Sequence, residues 1–255
     1  MLGLYLSGTG NTKHCIIKLL DLISTDSEMI ALSVSDEETI VKRVKEHDTV
    51  VLAYPTQFSN APYMIRDFIK RNNNIWNGKK VFCMTTMGAF SGDGTGCCAR
   101  VLRKHGAVII GGMQIKMPDA VCDSKLLKKT ADQNREIIRR ADLKIEKAAK
   151  EIMERNKYPR EGLSLFSHIV GLMGQRLWFY RKTTGYSKKL KINDDCVLCG
   201  VCVDNCPMGN LRIQDGKVVS NDRCTMCYRC ISNCPKQAIT LLGDKVYEQC
   251  RFENY

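Results

Sequence analysis

The chain is expected to fold as a doubly wound α/β unit with a five-stranded parallel sheet, followed by a smaller cysteine-rich α+β unit. Three observations predict this. Short apolar runs alternate with helix-length segments up to about Asn156, the pattern of parallel strands joined by crossover helices. A glycine- and hydroxyl-rich turn follows the first apolar run. The C-terminal part carries an internal cysteine repeat.

The strands are expected at Leu2 to Leu6, Glu28 to Val34, Asp48 to Tyr54, Lys80 to Thr86 and Ala107 to Gln114. Between them lie helices at Asn11 to Leu22, Asp36 to Glu46, Pro62 to Arg71 and Thr95 to His105, with Gly106 as a C-cap. A longer helix follows from about Ser124 to Asn156. This gives a first unit at 1–156, a linker at 157–191 and a second unit at 192–255. Pro159, Gly162, Gly171 and Gly174 interrupt the linker. Its apolar residues, among them Leu165, Phe166, Ile169, Met173, Leu177 and Trp178, recur at three-to-four spacing and suit interdomain packing, or docking on a partner or membrane surface.

At 255 residues, with 44% hydrophobic and 26% charged residues, the chain has a globular composition without a membrane-length apolar run. The apolar start, Met1 to Leu6, reads as a strand because it lacks the basic leader and apolar core of a signal peptide. Fourteen cysteines, eight of them at metal-ligand spacing between Cys196 and Cys234, favour a reducing cytoplasm. The net charge of +12 is concentrated in Lys125 to Lys157, where the signs are mixed, and in 157–191, with eight basic residues against Glu161. No recognition motif for nucleic acid accompanies it, so an acidic docking partner is expected instead. The segment 157–191 also allows peripheral membrane contact.

The repeat has a period of 28 residues: Cys196, Cys199, Cys202, Cys206 and Pro207 recur as Cys224, Cys227, Cys230, Cys234 and Pro235. Each copy reads C-x-x-C-x-x-C-x-x-x-C-P, the run of bacterial two-cluster ferredoxins. Three thiolates at this interval wrap three irons of a cubane but fall short of the fourth, which takes a cysteine from the other copy. One 4Fe-4S cluster is therefore assigned to Cys196, Cys199, Cys202 and Cys234, and a second to Cys224, Cys227, Cys230 and Cys206. Structural zinc rarely uses a duplicated triple motif. Residues 192–242 resemble the dicluster ferredoxin family, which implies one-electron transfer at each cluster. Tyr228 stands where the first copy has Gly200.

The turn Ser7-Gly8-Thr9-Gly10-Asn11-Thr12 joins a strand to a helix and makes a phosphate cradle of free N–H groups, hydroxyls and a positive dipole end. It resembles the phosphate loop of flavodoxins. That likeness implies that Ser7, Thr9, Asn11 and Thr12 hold the phosphate of FMN while Gly8 and Gly10 shape the turn. Loops after the third and fourth strands lie at the edge where open α/β sheets bind ligands. Pro55, Thr56, Gln57, Phe58, Ser59 and Asn60 resemble the second loop of flavodoxin-like quinone reductases, and Thr86, Met87, Gly88, Ala89, Phe90, Ser91, Gly92 and Asp93 their third. Gln57 or Asn60 would bond ring or ribityl oxygens, and Phe58 or Phe90 would cover a ring face.

Cys97 and Cys98 begin a helix, where a thiolate is favoured, although helix packing is the expected role. Cys15, Cys83 and Cys122 read as small hydrophobes. The four histidines make no metal-ligand pair, and no catalytic residue is assigned. The combination of a flavodoxin-like domain and a dicluster ferredoxin-like domain resembles the fused flavodoxin-ferredoxin proteins of anaerobes. It implies a cytosolic electron carrier relaying between FMN, two clusters and a redox partner. The alternative is a flavin-dependent reductase of a small molecule such as a quinone, and a weaker one is a redox-sensing module.

Overall fold

The computed structural model describes residues 1–178, 185–186 and 188–255. Strands β1 (Leu2–Tyr5), β2 (Glu28–Ala31), β3 (Thr49–Pro55), β4 (Lys80–Met87) and β5 (Val108–Lys116) form one sheet in the order β2-β1-β3-β4-β5. Every pairing is parallel. This is the flavodoxin-type doubly wound order, with its switch point between β1 and β3.

Strand alternation sorts the core into two layers. Val50, Leu52 and Tyr54 join a cluster with helices α2 (Glu37–Glu46), α3 (Tyr63–Arg71) and α4 (Gly94–Lys104). Val51 and Ala53 face α1 (Asn11–Ile23) and α5 (Ala131–Arg155) on the other side. The central strands are buried on both faces, which is why their sequence runs apolar without alternation.

The α5 helix begins at Ala131, later than the sequence suggests. A capping box at Thr130 sets the boundary: its hydroxyl accepts from the Gln133 N–H at 3.2 Å, and the Gln133 side chain accepts from the Thr130 N–H. The preceding chain stays irregular except for a 3₁₀ turn at Lys125–Leu127, and it carries Asp119 to Asp123 toward the second unit.

After α5 the chain returns to the sheet edge. Gly112 and Arg160 form a parallel bridge, and the Gly112 N–H donates to Pro159 O at 2.8 Å. The helix α6 (Leu165–Gly171), capped by Ser164, continues into a widened turn at Leu172–Arg176. The expected apolar segment lies here, and residues 179–184 and 187 fall outside the described ones.

The C-terminal unit has two antiparallel ribbons, β6 (Lys191–Ile192) with β9 (Ile239–Thr240) and β7 (Leu211–Gln214) with β8 (Lys217–Ser220). Its backbone repeats with the sequence period. Leu198 and Met226 have φ of 57° and 55°, Gly200 and Tyr228 of 79° and 62°, and Gly209 and Gln237 of 54° and 50°. The Asn210 N–H points to the Cys206 sulfur at 3.3 Å, as Ala238 N–H does to Cys234.

Removing the α5 cap tests the boundary. Thr130→Ala is expected to destabilise the protein by about 1 kcal/mol, seen as a lower thermal midpoint with unchanged visible absorbance.

Candidate functional site

The C-terminal edge of the sheet gathers the loops that the sequence singles out. Gly10 precedes α1 in a left-handed conformation and offers no side-chain cap to the N–H groups of Asn11 and Thr12 at the start of the helix. Thr12 Oγ1 lies 2.8 Å from Thr86 Oγ1 and ties the first turn of α1 to the end of β4. The Thr56 and Ser91 hydroxyls, 3.0 Å apart, tie the loops after β3 and β4.

These loops enclose a cavity of about 360 Å³. From the expected set, Gly8, Thr9, Asn11 and Thr12 line it at one end. Pro55 to Phe58 and Thr86 to Phe90 form its sides. No lysine or arginine lines it among the described residues, so an anion there would rest on backbone N–H groups and hydroxyls. Asn11 Nδ2 donates to Pro118 O at 2.9 Å, while its buried Oδ1 has no partner among the described residues and is an open acceptor for a hydroxyl-bearing ligand.

Other expected residues lie behind this lining. The Ser7 hydroxyl accepts from the Lys13 N–H at 3.3 Å, and Gly10 packs on Phe252. Asn60 turns into a separate hollow beside Arg66, and its Oδ1 accepts from the Ala61 N–H. Gly92 backs onto Gly171. Asp93 is fully buried and points away, paired with Arg100 at 2.7 Å, His168 at 3.0 Å and Arg176. A buried carboxylate needs such partners; Arg100 comes from α4, and His168 and Arg176 from the segment after α5. Gln57 is held by the second unit: its Nε2 donates to Thr225 O at 2.7 Å and Met226 O at 3.2 Å.

Several lining residues are absent from the sequence reading. Met117 to Val121 follow β5, so the same sheet-edge rule applied to the fifth strand would have found them. Gln175 arrives from the turn after α6. Met226, Cys227, Tyr228 and Leu242 come from the C-terminal unit, a distant contribution that no local pattern signals.

The eight repeat cysteines surround two smaller hollows. Cys196, Cys199, Cys202 and Cys234 line one, and Cys206, Cys224, Cys227 and Cys230 line the other. Among the described residues no group of three converges on a single ion; thiols spread around a hollow suit a multi-iron cubane better than one metal. Burial, the largest cause, and like-charged neighbours push Cys230 well above the ordinary thiol range and Cys224 up to about 12. Such a donor set stays protonated until a strong cation displaces the protons. Thr225 lines the second hollow, and its buried hydroxyl has no partner among the described residues.

The two sites meet. A Cβ added to Gly8 would lie 1.6 Å from Cys227 O, so the phosphate-type loop touches the cysteine loop backbone to backbone. Arg229 donates to Ser7 O at 2.6 and 3.1 Å, and the Phe252 N–H donates to Thr9 O at 2.7 Å. Tyr228 OH donates to Asp123 Oδ1 at 3.0 Å. The other oxygen of Asp123 accepts from the N–H groups of Leu241, Leu242 and Gly243 at 2.6 to 3.1 Å. Burial alone would raise the Asp123 pKa; these N–H groups and the phenol outweigh it and bring the carboxyl below its ordinary range.

The remaining thiols divide by environment. Burial raises Cys15, Cys83 and Cys98, the last despite its place on α4, in keeping with packing roles. Cys97 is also raised by burial, with Arg100 opposing. Cys122 is fully buried in the apolar core of the C-terminal unit, as a small hydrophobe would be; it also lies 3.1 Å from the Ser232 hydroxyl, and hydrogen bonds from Cys250 and Ser232 bring its pKa below the ordinary thiol value.

Residues 195–238 match the family model of the 4Fe-4S dicluster domain. Comparison with curated proteins gives no match. Among solved structures, the chain is similar to two-electron reduced Megasphaera elsdenii flavodoxin, with 24% identity over 59% of this chain and 99% of the flavodoxin, at a TM-score of 0.41. It is also similar to the Trp repressor binding protein from Bacillus subtilis, with 16% identity over 61% and 99% and a TM-score of 0.46. A third is a Fusobacterium nucleatum flavodoxin bound to flavin mononucleotide, with 15% identity over 59% and 95% and a TM-score of 0.40. The class of protein is thus defined by the chain's own strand order and by its matched C-terminal segment: a flavodoxin-like α/β unit fused to a 4Fe-4S dicluster ferredoxin-like unit, with a redox role.

Replacing Asp123 by alanine tests the junction. It strands the buried Leu241 N–H, the part-buried N–H groups of Leu242 and Gly243 and the Tyr228 phenol, at an expected cost of about 2–3 kcal/mol, and visible absorbance should be lost at a lower temperature than in the wild type.

Proposed function

We propose that this protein is an electron-transfer protein that relays electrons between FMN, held in the cavity at the sheet edge, and two 4Fe-4S clusters, and on to a redox partner. One observation carries the reading: Cys227 and Tyr228 line both the sheet-edge cavity and the hollow of the second cysteine set. A single peptide wall separates the two sites. FMN supplies one- or two-electron chemistry and each cluster one-electron chemistry, while the protein supplies placement and tuning.

The chain's own residues suit that division. The N-terminal end of α1 with Thr9 and Thr12 would hold the phosphate, and Asn11 Oδ1 would accept from the ribityl chain. Gln57 holds the wall by gripping the carbonyls of Thr225 and Met226. The clusters would be ligated by Cys196, Cys199, Cys202 and Cys234, and by Cys224, Cys227, Cys230 and Cys206. Cys199, Val197 and Leu198 are exposed at the far side of the first set, where a partner would approach most closely. With a net charge of +12, attraction to an acidic partner would speed that approach.

A reductase of a small substrate receives less support. The cavity has the volume of one modest ligand, and Phe58, Phe90, Gln175 and Tyr228 crowd it from both units.

The test is an anaerobic reductive titration of protein whose iron and flavin have been quantified. The expected content is about eight irons and one FMN per chain, with all centres reduced through a single donor. Cys230→Ser should lose about half the iron and slow flavin reduction while FMN stays bound. A protein with full iron that takes up no FMN on reconstitution would sink the relay.

A further inference from the structure

The segment after α5 presents two unlike sides. Its inner side is fixed to the α/β unit by polar contacts: His168 and Arg176 reach buried Asp93, Arg176 Nε donates to Ser59 O at 3.1 Å, and Gly171 sits against Gly92. Its outer side is apolar throughout. Between Leu165 and Trp178 the exposed residues are Leu165, Phe166, Ile169, Met173, Gly174, Leu177 and Trp178, with no charged or hydrogen-bonding side chain among them save the indole. Phe166 is 75% exposed and Trp178 69%. Isolated exposed hydrophobic residues need no explanation, but a contiguous set of this size does.

Charge flanks the stripe without entering it. Lys157 and Arg160 are exposed before it, and Lys188, Lys189 and Lys191 after it. The only acidic residue in 157–191, Glu161, is tied to Lys144 at 2.8 Å. A protein dock for a transient redox partner mixes polar groups into its apolar area. An apolar face bordered by cations and carrying a tryptophan has instead the composition of a helix lying in a lipid interface. The segment is too short to cross a bilayer, and no described helix is long and apolar enough to do so.

We propose that the segment 165–178 is a monotopic docking surface for anionic lipid bilayers, with the side chains of Phe166, Ile169, Met173 and Leu177 buried among the acyl chains and the flanking lysines on the headgroups. Apolar burial and headgroup attraction act together. The surface adds a location to the electron-transfer reading and does not depend on it.

The experiment mixes the full-length protein, with its clusters, with vesicles of phosphatidylcholine alone or with phosphatidylglycerol added, followed by sedimentation and tryptophan emission. Of the two tryptophans, Trp76 is fully buried, so a spectral shift reports on Trp178. The expected result is at least tenfold more protein on the anionic vesicles, a blue shift on binding, and weakening by salt. The double variant Phe166→Glu with Met173→Glu should abolish binding while its visible cluster spectrum is unchanged. Ile169→Gln with Leu177→Gln, a milder pair, should weaken it. No binding to anionic vesicles would overturn the proposal. So would salt-sensitive binding that the double variant retains, which would assign it to the lysines alone. A wild-type dimer that the double variant converts to monomer would overturn it too, by making the stripe an interface between copies.

Discussion

The arrangement depends on one backbone contact, Gly8 against Cys227. With 1.6 Å between a hypothetical Gly8 Cβ and Cys227 O, no other residue type fits without parting the two loops. The contact puts a phosphate-type turn and an iron-binding loop on either side of a single wall. Most neighbouring interactions serve to hold it. Arg229 grips Ser7 O, Gln57 grips the carbonyls before Cys227, and Phe252 lays the C-terminal tail on Thr9. Pro207 O accepts from the Val34 N–H at 2.9 Å and fixes the other cysteine motif on the loop after β2.

Many of the hydrogen bonds across the junction use backbone carbonyls as acceptors, with donors that are side chains, as at Arg229 and Gln57, or backbone N–H groups, as at Val34 and Phe252. Tyr63 OH to Arg223 O belongs to the same set. Backbone acceptors of this kind depend on the loop conformation and not on side-chain identity at the acceptor. The register between the units therefore follows from loop shape, and loop shape follows from the positive-φ residues of the cysteine repeat. Asp123 works differently. It is a side-chain acceptor for four donors, and it sits where the irregular chain before α5 meets the C-terminal ribbon.

Much of this was legible in the sequence because it is local. The five strands and their helices follow from apolar runs and caps, and the cysteine sets follow from spacing alone. The phosphate-type turn has its own signature at Ser7 to Thr12. What was not legible depends on contacts distant in sequence. Gln57 and Asp93 sit in the right loops, yet one is turned to the second unit and the other to Arg100, Arg176 and His168, since a buried carboxylate takes its nearest cations and hydrogen-bond donors wherever the chain brings them. The start of α5 was overextended because helix periodicity persists into Ser124 to Lys129, while the Thr130 capping box decides the boundary.

The break in the repeat is informative in the same way. Gly200 and Tyr228 occupy equivalent left-handed positions, with φ of 79° and 62°. That conformation is free to glycine and strained for tyrosine. Among the described residues, a Cβ added at Gly200 would meet only Asp204 Oδ2, at 3.8 Å. Tyr228 spends the strain on a ring that is 4% exposed, lines both cavities, and ends in a hydrogen bond to Asp123. The departure from symmetry therefore falls at the position where the duplicated unit contacts the α/β unit, and the residue least favoured by the local backbone is the one that joins the two sites.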